Sequence, residues 1–339
     1  MLCIASARSS SSNRCISLCT GIMVLVATST IVSADPLPPL MLSPFQPEFS
    51  RKAFAPGEKS VTAEVTVDGQ GQAAKVNVVE ARGPKAYADA IVAGLQRATY
   101  MPALMDGQVV QDGVFEFTIA PPPFRPGAGG RRGDPFEEIR EHINKGEYTQ
   151  ALRKLDEGGF EGDGALFLQA HAQFGTKNYE RAALLLSKLE RQGFPGNDKT
   201  AVTALTMMFH ASLGSGRVGD AMHAFEALNK RQPLAADDPM QSVYRNLTAA
   251  VAKPEAYSVK GHLQDQLWWF RPARRVLAFT GVTNGALHEV GFLCANRTAF
   301  FAFQADVEFQ VPESWGACEV YLRGDADTNF AVLEYPPAS

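Results

Sequence analysis

The sequence predicts a multidomain α+β protein, and three observations lead to that prediction. Alternating apolar residues and glycine-containing turns mark strands near both ends of the chain, whereas helical spacing of apolar residues dominates its middle. Two proline-rich stretches, 35–58 and 121–134, read as an extended segment and a Pro/Gly linker. We therefore expect three structural blocks, which span residues 59–120, 135–252 and 257–337.

Residues 1–34 have the layout of a secretory signal peptide. Arg8 and Arg14 precede an apolar stretch that ends in the small residues Val32-Ser33-Ala34, which predicts export and cleavage after Ala34. The alternative is an uncleaved inner-membrane anchor, because Ile16–Ala34 approaches the roughly 20 residues that a spanning helix needs.

Composition and cysteine count narrow the class of protein that the sequence can encode. With 45% hydrophobic residues the chain can build a core, and a net charge of −4 gives no electrostatic footprint for nucleic acid. Cys3, Cys15 and Cys19 lie in the signal segment, so an exported chain keeps Cys294 and Cys318. An even number of cysteines in an exported chain predicts a disulfide. The alternative is a pair of buried thiols.

The first block, 59–120, has the order ββαβ. Residues 60–69, SVTAEVTVDG, alternate and then turn, and AAKVNVVEA returns as a second strand. A helical face follows, formed by Tyr87, Ala90, Ile91, Leu95 and Ala98. Pro102 keeps Met101 out of the α region and so ends the helix. Residues 114–119, VFEFTI, form the closing strand.

This block resembles the C-terminal domain of the TonB family, whose members bind a short receptor peptide by adding a strand to a sheet edge. The matching steps are an Asp-Gly turn, an aromatic-x-Pro-Ala step, a Gly-containing turn and a closing strand. In this chain those steps fall on Asp68, Gly69, Tyr100, Pro102, Ala103, Gly107 and Phe117. The resemblance implies a Gram-negative cell envelope, and it implies a partner-binding edge at Val114, Phe115, Glu116, Phe117, Thr118 and Ile119. Plain sheet core is the alternative role for the apolar side chains.

The second block, 135–252, contains a weak repeat. GEYTQA, KNYERA and GRVGDA begin at residues 146, 177 and 216 and place Ala151, Ala182 and Ala221 at equivalent positions. This pattern resembles the tetratricopeptide repeat, in which a small residue lets two helices pack closely, and it implies a surface for peptides or proteins. The alternative is a helical spacer that binds nothing.

The third block, 257–337, is strand-rich and predicts antiparallel sheet, with Cys294 and Cys318 on or beside its strands. Its three tryptophans are predicted to fill a small core. No family resemblance accompanies this block.

Motifs for cofactors or catalysis are weak throughout. The GSGRVG stretch at 214–219 follows a helical segment, so it lacks the strand-to-helix context of a dinucleotide site. Residues 325–329, DADTN, lack the glycine that a calcium loop needs at its sixth position. The histidines form no H-x-x-x-H pair, so neither a metal nor a cofactor is predicted.

These observations favour a non-catalytic exported protein that binds a peptide or protein in the cell envelope, possible partners including an outer-membrane receptor. Three alternatives stay open. The first is a membrane-anchored TonB-type energy transducer for outer-membrane transport. The second is an envelope enzyme that uses residues such as Glu289, Asp325 and Asp327. The third is a scaffold that forms a homodimer by strand pairing.

Overall fold

The computed structural model describes residues 37–42, 60–105, 108–119, 134, 136–160, 162–194, 198–305 and 307–336. The described residues contain both helices and antiparallel sheets, which confirms a mixed α+β architecture. The predicted signal segment, most of the two proline-rich stretches and Gly107 lie outside the described residues.

The first unit is a small sheet with one helix on its face. Its elements are β1 (Leu40–Met41), β2 (Ser60–Val67), β3 (Ala73–Arg82), α1 (Lys85–Arg97), β4 (Tyr100–Met101), β5 (Leu104–Met105), β6 (Gln108–Val109) and β7 (Gly113–Ile119). The main sheet has the order β3-β2-β7, and β1 pairs with β4. Every second residue of β2, from Val61 to Val67, is fully buried and packs against Ile91 and Leu95 of α1. The period of two in the strand and the helical spacing in α1 therefore meet in one core.

The second unit is helical. Its elements are α2 (Glu137–Asn144), α3 (Tyr148–Gly158), α4 (Asp163–Gly175), α5 (Tyr179–Gln192), α6 (Asp198–Gly214), α7 (Val218–Arg231) and α8 (Pro239–Val251). Helix α8 begins at Pro239 after Asp238, whose carboxylate accepts a hydrogen bond from the Met240 amide.

Three turns of the same geometry connect α2 to α3, α4 to α5 and α6 to α7. In each turn an amide donates to the carbonyl five residues earlier, as from Glu147 to His142, at 2.8 to 2.9 Å. Ala151, Ala182 and Ala221 are fully buried at equivalent places in the following helices. Glycine allows two helices to approach closely here, because a side chain at Gly175 of α4 would overlap the Tyr148 ring of α3.

The third unit is a sandwich of two four-stranded antiparallel sheets, ordered β13-β10-β15-β8 and β12-β11-β14-β9. Its strands are β8 (Tyr257–His262), β9 (Leu267–Phe270), β10 (Val276–Thr283), β11 (Leu287–Cys294), β12 (Thr298–Ala302), β13 (Glu308–Gln310), β14 (Cys318–Gly324) and β15 (Asn329–Tyr335). Trp268 is fully buried between the sheets, and Trp269 and Trp315 pack on that core while half-buried. A disulfide joins Cys294 to Cys318, which lie directly opposite each other on β11 and β14.

The sandwich contacts both other units. Leu184 of α5 belongs to its hydrophobic core, and Gly219 of α7 lies so close to the loop after β9 that an added Cβ would meet the Arg271 carbonyl. On the outer face of the second sheet, Phe300 and Tyr321 pack with Leu42 and Met101 of the first unit. The sandwich therefore lies between the helical unit and the small sheet.

Candidate partner-binding edge

Strand β7 lies at one edge of the first sheet and has one neighbour, β2, among the strands that the structure describes. Its pairing with β2 is continuous from Val61 opposite Ile119 to Val67 opposite Gly113. Val114, Glu116 and Thr118 are exposed on one face, and Phe115 and Ile119 are half-buried on the other. A straight edge strand with a partly covered apolar face has the geometry that an additional strand requires.

Strand β3, at the opposite edge, differs in two physical respects. Its pairing with β2 shifts twice, so Ala74 and Val79 have no residue opposite them, and extra residues of this kind kink and twist a strand. Glu80 and Arg82 form an exposed ion pair near its end. Val78 keeps the alternation, because it lies opposite the buried Ala63, but at this edge its side chain is 44% exposed, and that of the unpaired Val79 is 56% exposed. Irregularity and charge are features that discourage pairing at an edge.

Asp68 and Gly69 form the turn between β2 and β3. The Asp68 carboxylate accepts hydrogen bonds from the amides of Gln70 and Gln72, both at 2.9 Å. The Gly69 amide donates to the side chain of Gln111, just before β7, at 3.0 Å. Gly71 has a φ of 74°, and an added Cβ would meet the Tyr100 carbonyl. This turn therefore fixes the start of β7 as well as the β2–β3 hairpin.

Tyr100 connects the end of α1 to the sheet. Its hydroxyl donates to the Leu95 carbonyl at 2.7 Å, its amide donates to the Gly71 carbonyl at 2.9 Å, and its ring meets the Phe115 ring edge-on at 5.6 Å. Burial of the phenol raises the pKa of Tyr100. Tyr100 thus ties the helix terminus to the strand that carries the candidate edge.

Pro102 is buried and Ala103 half-buried beside this corner. The Ala103 carbonyl accepts from the Val110 amide, and its side chain fills the space above Gly113, where an added Cβ would lie 2.5 Å away. These motif residues position β7 rather than expose chemistry of their own. Gly107 lies outside the described residues.

An acidic pair occupies the exposed face of this edge. Glu64 on β2 lies directly opposite Glu116 on β7, and both side chains are exposed. Like charges directly opposite each other destabilise a sheet. The nearest basic residue of that face in strand register is Lys75, opposite Thr66 on the far side of β2 from β7. Sequence reasoning missed Glu64 because the register between β2 and β7 is a non-local property.

Comparison with known proteins adds no family. No protein-family model matches the chain, and no curated protein sequence matches it.

A second polar region lies between the helical unit and the sandwich. Arg271 contacts Glu319 at 2.5 Å, Glu190 at 3.1 Å and Asp220 at 3.7 Å, and Asp220 also accepts from Arg217 at 2.8 Å. Burial opposes ionisation of both glutamates, yet their pKa values are lowered. His223 and Arg271 outweigh burial at Glu190, and Arg271 and Arg191 outweigh it at Glu319.

A cleft of about 250 Å³ opens beside this network and is lined by Met222, His223, Arg271, Arg275 and Cys318, among others. The arginines here bind groups of this chain: Arg271 the three acids, and Arg275 the carbonyls of Pro312 and Gly316. The network therefore holds two units together, with acids and bases balanced against each other.

Of the residues named for an enzyme in the third block, Asp325 and Asp327 share the turn between β14 and β15, whereas Glu289 is buried in β11. Glu289 is fully buried, its nearest cation is Arg323 at 3.9 Å, and burial raises its pKa to about 8 despite that cation. Asp325 lies in the β14–β15 turn, where a hydrogen bond from His288 at 2.8 Å lowers its pKa. Asp327 is exposed in the same turn.

The described ranges contain no group of three or more histidine, cysteine or acidic side chains placed to hold a metal ion. Within them, no helix has the length and apolar character to cross a membrane.

Proposed function

We propose that this chain is a non-catalytic, exported protein of the cell envelope that binds an extended peptide or protein segment by strand addition to β7. The observation that carries the proposal is the contrast between the two edges of one sheet. Strand β7 is continuous in register and has a half-covered apolar face, whereas β3 is kinked at two places. An added strand would bond to the β7 backbone and cover Phe115 and Ile119.

The resemblance to the TonB C-terminal domain agrees with this function. Its turn and corner residues, Asp68, Gly69 and Tyr100, converge on the start and the core-facing side of β7. We infer that they preserve the edge geometry. Residues 1–36, which decide between a cleaved signal and an inner-membrane anchor, lie outside the described residues.

The helical unit supports a second protein-contact surface. Its three equivalent turns, with a buried alanine after each, agree with the resemblance to tetratricopeptide repeats. The sandwich covers parts of α5 and α7, at Leu184 and Gly219. We infer that the first helices of the hairpins, α2, α4 and α6, present the surface left for a partner.

The test is selection of peptides on the full chain from a phage-displayed library of random heptapeptides. Selected peptides should bind Val114→Pro at least about tenfold more weakly than the unaltered chain, because proline removes an amide and bends an edge strand. Val79→Pro on β3 is the matched control, since Val79 already lies in an irregularity, and its affinity should be unchanged. Circular dichroism would establish that both variants stay folded.

Equal affinity of Val114→Pro and the unaltered chain for every selected peptide would overturn strand addition at β7. Loss of binding in Val79→Pro alone would instead place the partner at β3.

A further inference from the structure

The exposed face of the candidate edge carries two acids that nothing in the described part of the chain neutralises. Glu64 and Glu116 lie directly opposite each other, and neither forms an ion pair there. Two other exposed acids of the same unit are paired, Glu80 with Arg82 and Asp89 with Lys85. The acidic pair is thus a local feature of the β2–β7 face.

An added strand would place its side chains on the two faces of β7 in alternation. The residue directly beside Glu116 would share the exposed face with both acids. The residues before and after it would lie on the opposite face, where Phe115 is half-buried and meets the Tyr100 ring. The edge therefore favours an added strand in which a basic residue is flanked by apolar residues.

A second copy of this chain fits the edge poorly. Glu116 is the central residue of β7, which runs from Gly113 to Ile119. Antiparallel self-pairing over the full strand would set Glu116 of one copy beside Glu116 of the other, next to both Glu64 side chains. Four acids on one small face would repel each other.

This inference rests on the proposed function. We propose that the partner of β7 is an extended segment of another protein with the alternating pattern apolar–basic–apolar. Its lysine or arginine would lie beside Glu116 and Glu64. Opposite charges placed directly across two strands attract, and removal of the like-charge strain between the two acids adds to the gain. Charge complementarity thus selects the register as well as the partner.

The experiment uses three synthetic heptapeptides, acetylated and amidated at their ends, which differ only at the central position. That position is lysine, glutamine or glutamate, with a valine on each side and threonine and serine at the ends. Affinity for the full chain is measured by isothermal titration calorimetry at low and high salt. The lysine peptide should bind about fivefold more tightly than the glutamine peptide, which should bind more tightly than the glutamate peptide, with a smaller spread at high salt.

Glu116→Lys should invert this order, so that the glutamate peptide binds most tightly. Glu80→Lys on β3 is the matched control and should leave the order unchanged. Inversion by Glu116→Lys alone would support the proposal.

Each remaining outcome has a distinct meaning. Equal affinity of the three peptides, with loss of all binding in Val114→Pro, would overturn the basic-partner inference and leave strand addition intact. No binding by any peptide would overturn strand addition, and this inference with it. A dimer in sedimentation that Val114→Pro dissociates, and that excludes the peptides, would overturn the proposal in favour of a second copy.

Discussion

Acidic residues cluster in two regions of this molecule, and the two clusters differ in burial and in whether basic side chains of the chain contact them. Between the helical unit and the sandwich, Asp220 is buried and Glu190 and Glu319 are largely buried, with side chains 16% and 18% exposed, around Arg271. At the edge of the first sheet, Glu64 and Glu116 are exposed and have no cation of the described chain beside them. The buried cluster is complete within the chain, whereas the exposed cluster lacks its counter-charge.

The difference separates a structural role from a binding role. A buried acid without a partner would cost the fold several kcal/mol, so the fold must supply its base. An exposed acid costs little, so its counter-charge can come from another molecule. We therefore assign the Arg271 network to assembly of the units and the Glu64–Glu116 pair to recognition.

The largest expected effect concerns the buried cluster. Arg271→Met should lower the free energy of unfolding by about 3–5 kcal/mol, because it removes the cation that the largely buried Glu190 and Glu319 share. Urea denaturation measures this value. Arg153→Met is the matched control, since Arg153 pairs with Glu157 on the surface, and it should cost at most about 1 kcal/mol. A loss below 1 kcal/mol in Arg271→Met would remove the contrast between the two regions.

A pH-dependent effect, at most about 1.4 kcal/mol per pH unit, distinguishes Glu289 from the compensated acids. Its pKa rises from 4.5 to about 8 in the folded chain, so between those values the folded state holds a proton that the unfolded state has released. Stability from this group is therefore complete below pH 4.5 and declines as the pH rises toward 8, by at most about 1.4 kcal/mol per pH unit.

Glu289→Gln should flatten that decline, as measured by urea denaturation at pH 5, 6, 7 and 8. Glu334, whose pKa burial raises to about 7, contributes in the same direction and remains in the variant. An unchanged pH profile in Glu289→Gln would show that Glu289 is ionised in the fold.

The smallest effect tests the exposed pair directly. Glu116→Gln should raise the free energy of unfolding by about 0.2–1 kcal/mol, since it removes repulsion from Glu64. Glu80→Gln on β3 should have the opposite sign or no effect, because it breaks the pair with Arg82. Both differences should shrink in high salt, and equal signs for the two variants would show that the Glu64–Glu116 repulsion is negligible.

Local patterns in the sequence account for much of the fold. The spacing of Tyr87, Ile91 and Leu95 is the buried face of α1, and the alternation from Val61 to Val67 is the buried face of β2. The cysteine count and the predicted export together predict a disulfide, and it is present between β11 and β14. Each of these features depends on residues close in sequence or on simple counting.

Features that depend on distant pairing were not predictable in the same way. The two irregularities of β3 arise from its register with β2, and β1 pairs with β4 across some sixty residues. The Arg271 network joins three elements that no periodicity connects. The opposition of Glu64 and Glu116 likewise appears only once β7 is placed beside β2.

Amide hydrogen exchange of the full chain, with and without the lysine heptapeptide, tests the central claim most directly. We expect exchange to slow in β7, at 113–119, and to stay unchanged in β3, at 73–82, because an added strand protects the amides of the edge that it joins. Slowing confined to β3 or to the helical unit, while β7 exchanges at the same rate as in the unbound chain, would contradict strand addition at β7.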